Sequence, residues 1–274
     1  MIRNAIIKIM FKLYNSTLAI IAFPSSVAYF FRPEVGRNYN VGFFKKLELL
    51  FKFIRNTKKI PTSSSWREHL EIAVEIFKIP PDTEGVVCEC GTYKGGSTAN
   101  LSLVCRLVNR KLVVCDSFMG LPNPNENDKR HYLIHSSRYL EYQKGDYKGS
   151  LEEVKKNITT YGCISVCKFI PGYYEQTLSN LSEKLTLVFL DVDLVESLKT
   201  CLTNLWPHLQ TGCKLFSHEA LNLNFISLFF DKEWWRDNLK SFPPGFVGAG
   251  TGLPTLIRTG SSLGYTLKNG ELSK

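Results

Sequence analysis

Three points along the chain carry residues whose types and spacing could do chemistry. The first is Glu89-Cys90-Gly91-Thr92-Tyr93-Lys94-Gly95-Gly96-Ser97. Glycines in such a turn let the backbone pass close to a ligand, and a helix starting after it favours a carboxylate or phosphate at its N-terminus. The second is Asp116, which ends the next apolar run about twenty residues further on, where an acidic group can hold ribose hydroxyls. A nicotinamide enzyme would be served equally by these two features. The spacing Glu-x-Gly-x-x-x-Gly, set by Glu89, Gly91 and Gly95, decides against it, because it replaces the tighter Gly-x-Gly-x-x-Gly and offers no pyrophosphate cradle. The third point is the set Asp191, His218 and Glu219. Standing at the ends of two later apolar runs, it could converge on a metal or pair as an acid-base dyad.

Positioning these groups is the task of an alternating series of elements. Ser63, Ser64 and Ser65 offer an N-cap to an amphipathic helix from Trp66 to Phe77, which Pro80-Pro81 ends. Strand-type runs follow at Gly85 to Cys90, Lys111 to Cys115, Val166 to Ile170, Leu185 to Leu190 and Lys214 to Ser217. Helical stretches lie between them at Ser97 to Val108, Leu151 to Tyr161, Tyr174 to Leu181 and Glu196 to Leu205. Strict alternation predicts an α/β fold with a doubly wound, mostly parallel sheet, helices on both faces, and ligands at the carboxyl ends of the strands. Gly120 to Lys148 and Ser241 to Gly252 break the rhythm as long loops, expected to be lids over the ligand.

Charge divides the chain. Residues 1 to 60 hold eleven Lys and Arg against Glu34 and Glu48, which accounts for the whole formal net charge of +9, and the remainder is neutral. A neutral body is a poor match to a nucleic-acid enzyme, whose groove must neutralise phosphates. The basic residues of the front alternate with apolar ones, among them Ile6, Ile7, Phe11, Phe43, Phe44 and Phe51. This predicts a helical N-terminal extension, 1 to 60, ahead of a catalytic domain, 61 to 274. Its helices either lie on an anionic membrane surface or pack on the body or a second subunit. Deleting it is expected to leave the cofactor site able to bind. The longest uncharged stretch, Asn15 to Phe31, is interrupted by Pro24 and falls short of a membrane span. Eight cysteines without a C-x-x-C pair read as buried thiols, which places the protein in a reducing cytoplasm, at most peripheral to a membrane.

Four ordered motifs closely resemble those of the macrocin O-methyltransferase family: Glu89 to Ser97, Asp116-Ser117-Phe118-Met119-Gly120-Leu121-Pro122, Phe169 to Leu178 and Leu190-Asp191-Val192-Asp193-Leu194. Gly252-Leu253-Pro254 fits as well, and the likeness runs from about Ser63 to Arg258. The resemblance implies a Rossmann-like class I methyltransferase fold, S-adenosylmethionine as donor, often a magnesium ion, and a small-molecule hydroxyl acceptor, frequently on a sugar. It places Glu89, Gly91, Gly95 and Ser97 around the methionine and ribose, Asp116 with Ser117 at the ribose, and Gly172 and Tyr173 beside the adenine. A bulkier residue at Gly91 is then expected to block the cofactor and leave the fold intact.

The chain departs from the family pattern at the metal. Asp191 and Asp193 match an acidic pair, but His218-Glu219 stands where Asp-Asp is expected. Asp191 and Glu219 could still hold magnesium, whereas an imidazole shifts preference toward manganese, iron or zinc. Val195, Met119 and Cys213 replace a tyrosine, a glutamate and a glycine of the family. Methyl transfer to a hydroxyl needs a base, which the family supplies as a lid histidine. His131 and His135 lie in that region, Asp191 is a further catalytic candidate, and His218 offers a fourth. A cofactor-binding pseudo-enzyme is the alternative that the substituted metal pair supports.

Overall fold

Five apolar runs become the parallel strands of one sheet. In the computed structural model, which describes residues 27–125, 128, 130–132, 139–253 and 261–269, these are β1 (Val86–Cys90), β2 (Leu112–Asp116), β5 (Cys167–Pro171), β6 (Leu185–Leu190) and β7 (Leu209–Ser217). A short antiparallel pair, β3 (Arg130–Tyr132) and β4 (Tyr139–Glu141), lies in the loop after β2, and β8 (Gly264–Leu267) closes the chain. The order is β5-β2-β1-β6-β7-β8, with β8 antiparallel to β7 through Lys214 opposite Leu267. Every residue of β6 is buried, as a central strand covered on both faces requires. The chain winds outward from β1 through β2 to β5, then returns to β6 on the other side. The gap between the carboxyl ends of β1 and β6 is therefore the switch point where an open α/β sheet takes its ligand.

Helices α1 (Phe43–Lys59), α2 (Trp66–Lys78), α3 (Gly96–Leu107) and α4 (Leu151–Tyr161) precede β5, and α5 (Tyr174–Thr177), α6 (Val195–Leu205), α7 (Leu223–Leu228) and α8 (Lys232–Leu239) follow it. Ser65 caps α2 through a reciprocal box, in which the Ser65 N–H donates to Glu68 Oε2 (2.7 Å) and the Glu68 N–H to Ser65 Oγ (3.3 Å). The helix expected over Tyr174 to Leu181 is a single α turn followed by a 3-10 turn at Leu178–Asn180. β7 begins five residues before the expected Lys214, because its first half is exposed or half-buried after Leu209 and carries no apolar pattern.

From Val27 onward, the segment expected as an extension is packed into the body. Val27, Phe30, Val41, Leu49, Leu50 and Phe53 share one buried cluster with Ile72, Phe77, Leu101 and Val87. Asn56, fully buried on α1, donates to Asn100 Oδ1 of α3 (2.9 Å) and to the Tyr161 carbonyl (3.0 Å). Removing residues 1 to 60 would strip this layer from the core, which corrects the expectation that the remainder keeps an intact site. Among the described residues, no helix is long and apolar enough to cross a membrane.

Candidate active site at the carboxyl ends of the strands

Backbone hydrogen bonds continue past the strand ends and fix what stands side by side there. The Gly91 N–H donates to Cys115 O, the Asp191 N–H to Cys90 O, the His218 N–H to Leu190 O and the Gly172 N–H to Asp116 O, all between 2.9 and 3.1 Å. Gly91, Asp191, His218 and Gly172 are thereby aligned along one edge. A cavity opens over them. Its wall includes Gly91, Ser97, Asp116, Ser117, Tyr173, Asp191 and Asp193. Of the cofactor residues expected from sequence, these include five, whereas Glu89, Gly95 and Gly172 stand behind the wall.

Each of those three shapes the wall from behind. Gly95, left-handed at φ 86°, is the N-cap of α3 and donates to Thr92 O (2.7 Å). Gly172, at φ 138°, passes the Thr177 methyl where a Cβ would lie at 2.7 Å. Glu89 is fully buried; its Oε1 accepts from Ser97 Oγ (2.5 Å), while its Oε2 has no partner. Asp116 ties the glycine turn to β2, since its Oδ2 accepts from the Thr92 N–H (2.8 Å) and its Oδ1 from the Phe118 N–H (2.7 Å). Carboxylate oxygens keep further lone pairs, so Asp116 can still receive a hydroxyl from the cavity side.

Next to the glycine turn lies an acidic cluster around one imidazole. His218 Nδ1 is 3.4 Å from Asp191 Oδ1 and its Nε2 is 3.4 Å from Glu68 Oε2. Ser63 Oγ donates to Asp191 Oδ2 (3.3 Å). Beneath it His69, fully buried, is bonded to Ser64 Oγ (2.8 Å) and to the Asn100 amide (2.9 Å), and burial pushes its pKa down to about 4. Burial disfavours charge on His218 too, but Asp191 and Glu68 outweigh it and hold the ring protonated well above its ordinary range. Burial likewise opposes the charge of Glu68, yet the hydrogen bond and charge of His218 bring its carboxyl to about 2. Asp193 goes the other way, up to about 7, through burial and the nearby charge of Asp191, and Glu219 is raised for the same reasons. Asp191, His218 and Glu219 present ligand atoms within 4.8 Å of one another. Such an excess of crowded carboxyl groups suits a divalent cation, so this donor set fits the metal that the sequence suggested.

The loop between β2 and α4 closes on this cluster. Tyr142 Oη donates to Asp193 Oδ1 (3.0 Å), and Asp128 Oδ1 accepts from the Val195 N–H at the first turn of α6 (2.9 Å). Leu121, Tyr142 and Leu194 pack together beneath it. His131 lies in β3 opposite Leu140. His135 lies outside the described residues.

A sequence profile of the Macrocin-O-methyltransferase (TylF) family matches residues 67–218, more than half of the chain and the whole span from Glu68 to His218 just described. The chain belongs to the macrocin O-methyltransferase family. Two curated relatives from this chemistry are similar in sequence. A Streptomyces olivaceus 8-demethyl-8-(2,3-dimethoxy-alpha-L-rhamnosyl)-tetracenomycin-C 4'-O-methyltransferase is 29% identical over 150 residues, covering 53% of this chain and 56% of that protein. A Streptomyces niveus demethyldecarbamoylnovobiocin O-methyltransferase is 29% identical over 133 residues, covering 47% and 50%. The chain thus spans about half the length of the curated relatives it matches. In structure it resembles the O-methyltransferase NovP, with a TM-score of 0.60, 20% identity, and coverage of 82% of this chain and 98% of that one. The calicheamicin methyltransferase CalS11 follows at 0.52 and 15%, covering 81% and 92%. These likenesses establish the Rossmann-like methyltransferase fold.

Within that fold, sequence reasoning missed the groups contributed by the segment before β1. Thr62 and Ser63 line the cavity, and Glu68 faces His218. Ser65-x-x-Glu68 is a capping box, which fixes where α2 starts, while the docking of α2 on the sheet is what turns Glu68 toward His218. Tyr93, Tyr147 and Tyr174 also line the cavity, brought there by loop folding that no periodicity encodes.

Glu89 carries a testable consequence. Burial pushes its carboxyl up to about 8, with Ser97 and Thr98 opposing. Between its ordinary range and that value the native state keeps a proton that the unfolded chain has released, so stability falls as pH rises through this window and levels off above it. Glu89→Gln mimics the protonated acid and removes that loss. From pH 5 to pH 9 the wild type should therefore lose about 2–4 kcal/mol relative to the variant in denaturant titrations. Parallel curves for the two proteins would show that Glu89 is ionised in the native state.

Proposed function

We propose that this protein transfers the methyl group of S-adenosylmethionine to a hydroxyl of a small molecule, with a sugar as the acceptor class. One observation carries the reading: one cavity is lined both by the glycine turn with Asp116 and by Asp191 with Asp193. The first group suits the nucleoside and amino acid of the donor, the second an acceptor hydroxyl that must lose its proton. As the acceptor oxygen bonds to the methyl carbon, the carbon–sulfur bond breaks, the proton passes to a base, and S-adenosylhomocysteine leaves. The acceptor class follows the names of the relatives, one of which acts on a rhamnosyl group.

Asp191, Glu219 and the Nδ1 of His218 are the groups that would hold a divalent cation, with Glu68 keeping the Nε2 proton of His218 and so its tautomer. A cation there supplies Lewis acidity to the acceptor hydroxyl. The 3.4 Å approach of His218 to both Asp191 and Glu68 favours a second reading, in which Asp191 accepts the hydroxyl proton and the protonated imidazole relays a proton on to Glu68 without a metal. His131 or His135 is proposed as the base in the first reading. The reading also keeps a cytoplasmic place of action, against an anionic membrane surface. Labelled S-adenosylmethionine incubated with a panel of hydroxylated glycosides tests the proposal: label should move to oxygen of a glycoside. Transfer to nitrogen or sulfur acceptors only would overturn it.

A further inference from the structure

α1 buries one face, through Leu49, Leu50, Phe53 and Asn56, and leaves the opposite face bare. Phe44, Phe51, Arg55 and Lys58 recur there at i, i+7, i+11 and i+14, within an arc of about 60° on the helical wheel. Phe44 is 84% exposed, Phe51 63% and Phe43 59%. The aromatic rings do not end at the helix, for Phe31 packs at a tilt against Phe43 (5.2 Å) and Phe43 edge-on against Phe44 (5.7 Å), running from the buried Phe30 out to solvent. Scattered exposed side chains need no explanation, but a contiguous aromatic patch on one helix does. Around it stand Lys45, Lys52, Arg55, Lys58 and Lys59 against Glu48 alone, which bridges Lys45 (2.8 Å) and Lys52 (2.6 Å).

We propose that this face of α1 docks the folded protein on an anionic lipid surface, with Phe44 and Phe51 entering the interface and the basic residues meeting headgroups. The inference rests on the reading that the basic front faces an anionic membrane, and it names the surface that does so; it is independent of methyl transfer. Exposed aromatic rings flanked by several cations and one acid match the interfacial helix, whose binding combines apolar burial with attraction to anionic lipid. A protein partner of ordinary composition would leave these cations unmatched.

Full-length protein is mixed with vesicles of phosphatidylcholine, with and without phosphatidylglycerol, at low and high salt, and sedimented. Binding is expected only with the anionic lipid and should weaken with salt. Phe44→Ser with Phe51→Ser should reduce partitioning at least about tenfold, and Lys58→Glu or Lys59→Glu about fivefold each. Circular dichroism and S-adenosylhomocysteine binding should be unchanged, since these side chains contact neither core nor cavity. Indifference of the wild type to anionic vesicles would overturn the proposal. So would equal binding by the double Phe variant, which would assign attachment to another segment. A wild type that runs as a dimer while the variant runs as a monomer would assign the face to a second copy. Loss of S-adenosylhomocysteine binding by the wild type, with vesicle binding kept, would count against the methyltransferase reading alone.

Discussion

Gly91→Ala is expected to abolish cofactor binding and to remove most of the protein's stability. The backbone at Gly91 is left-handed, at φ 86°, and an alanine Cβ would lie 1.8 Å from the carbonyl oxygen of Asp191 and 2.7 Å from its carbon. That neighbour is backbone at the end of β6, tied to β1 by the bond from the Asp191 N–H to Cys90 O. Relief therefore requires parting the two central strands, or turning the loop that carries Asp191 out of the cavity. Overlap of this kind, added to left-handed strain, costs about 4 kcal/mol or more. Gly145→Ala is the control. It too is left-handed, at φ 89°, but nothing lies within 4 Å of its Cβ. Its cost should be the conformational one alone, about 1–2 kcal/mol. Denaturant titrations of both variants check the contrast, and equal modest losses would show that the strand ends are looser than the fold implies. The expectation that a bulkier residue at Gly91 spares the fold is corrected here, because the close approach is to Asp191 before it is to any ligand.

The acidic cluster yields the second large effect. If Asp191, Glu219 and His218 hold a divalent cation, turnover should fall at least about a hundredfold in excess chelator and return with added metal. His218→Asp should then keep turnover within about tenfold of wild type and shift its preference toward magnesium, since an all-oxygen set suits the harder ion. If His218 instead shuttles the proton between Asp191 and Glu68, chelation leaves the wild type unchanged and His218→Asp is inactive whatever cation is supplied. Calorimetric titration with Mn2+ gives an answer that does not depend on turnover, with one site in the wild type and a weaker one in Asp191→Asn under the first reading.

Much of the site was legible because parallel α/β folding is read from apolar runs. Once β1, β2, β6 and β7 are placed by their buried residues, Gly91, Asp116, Asp191 and His218 must share one edge, being the residues that end or follow those strands. Distances were not legible. Nothing in the pattern says that Gly91 meets Asp191 backbone, or that Glu89 is sealed behind Ser97 with one oxygen unpartnered. Glu68 was hidden for another reason: a residue on an amphipathic helix reads as surface or cap, and only the docking of α2 on the sheet turns it toward His218. The antiparallel β8 and the capped helices α7 and α8 escaped because they are short. The position of α1 escaped because amphipathic helices that pack and those that bind membranes share one pattern, and α1 has faces of both kinds.

The central claim is that the cavity over Gly91 and Asp116 holds S-adenosylmethionine. A crystal structure of the full-length protein with S-adenosylhomocysteine tests it most directly. The account predicts the homocysteine carboxylate beside the turn at Gly91 to Ser97, the ribose hydroxyls on Asp116, the adenine against Tyr173, and the sulfur facing Asp191. Density for the ligand elsewhere, or a cavity that stays empty at saturating ligand while a nicotinamide dinucleotide fills it, would contradict the account.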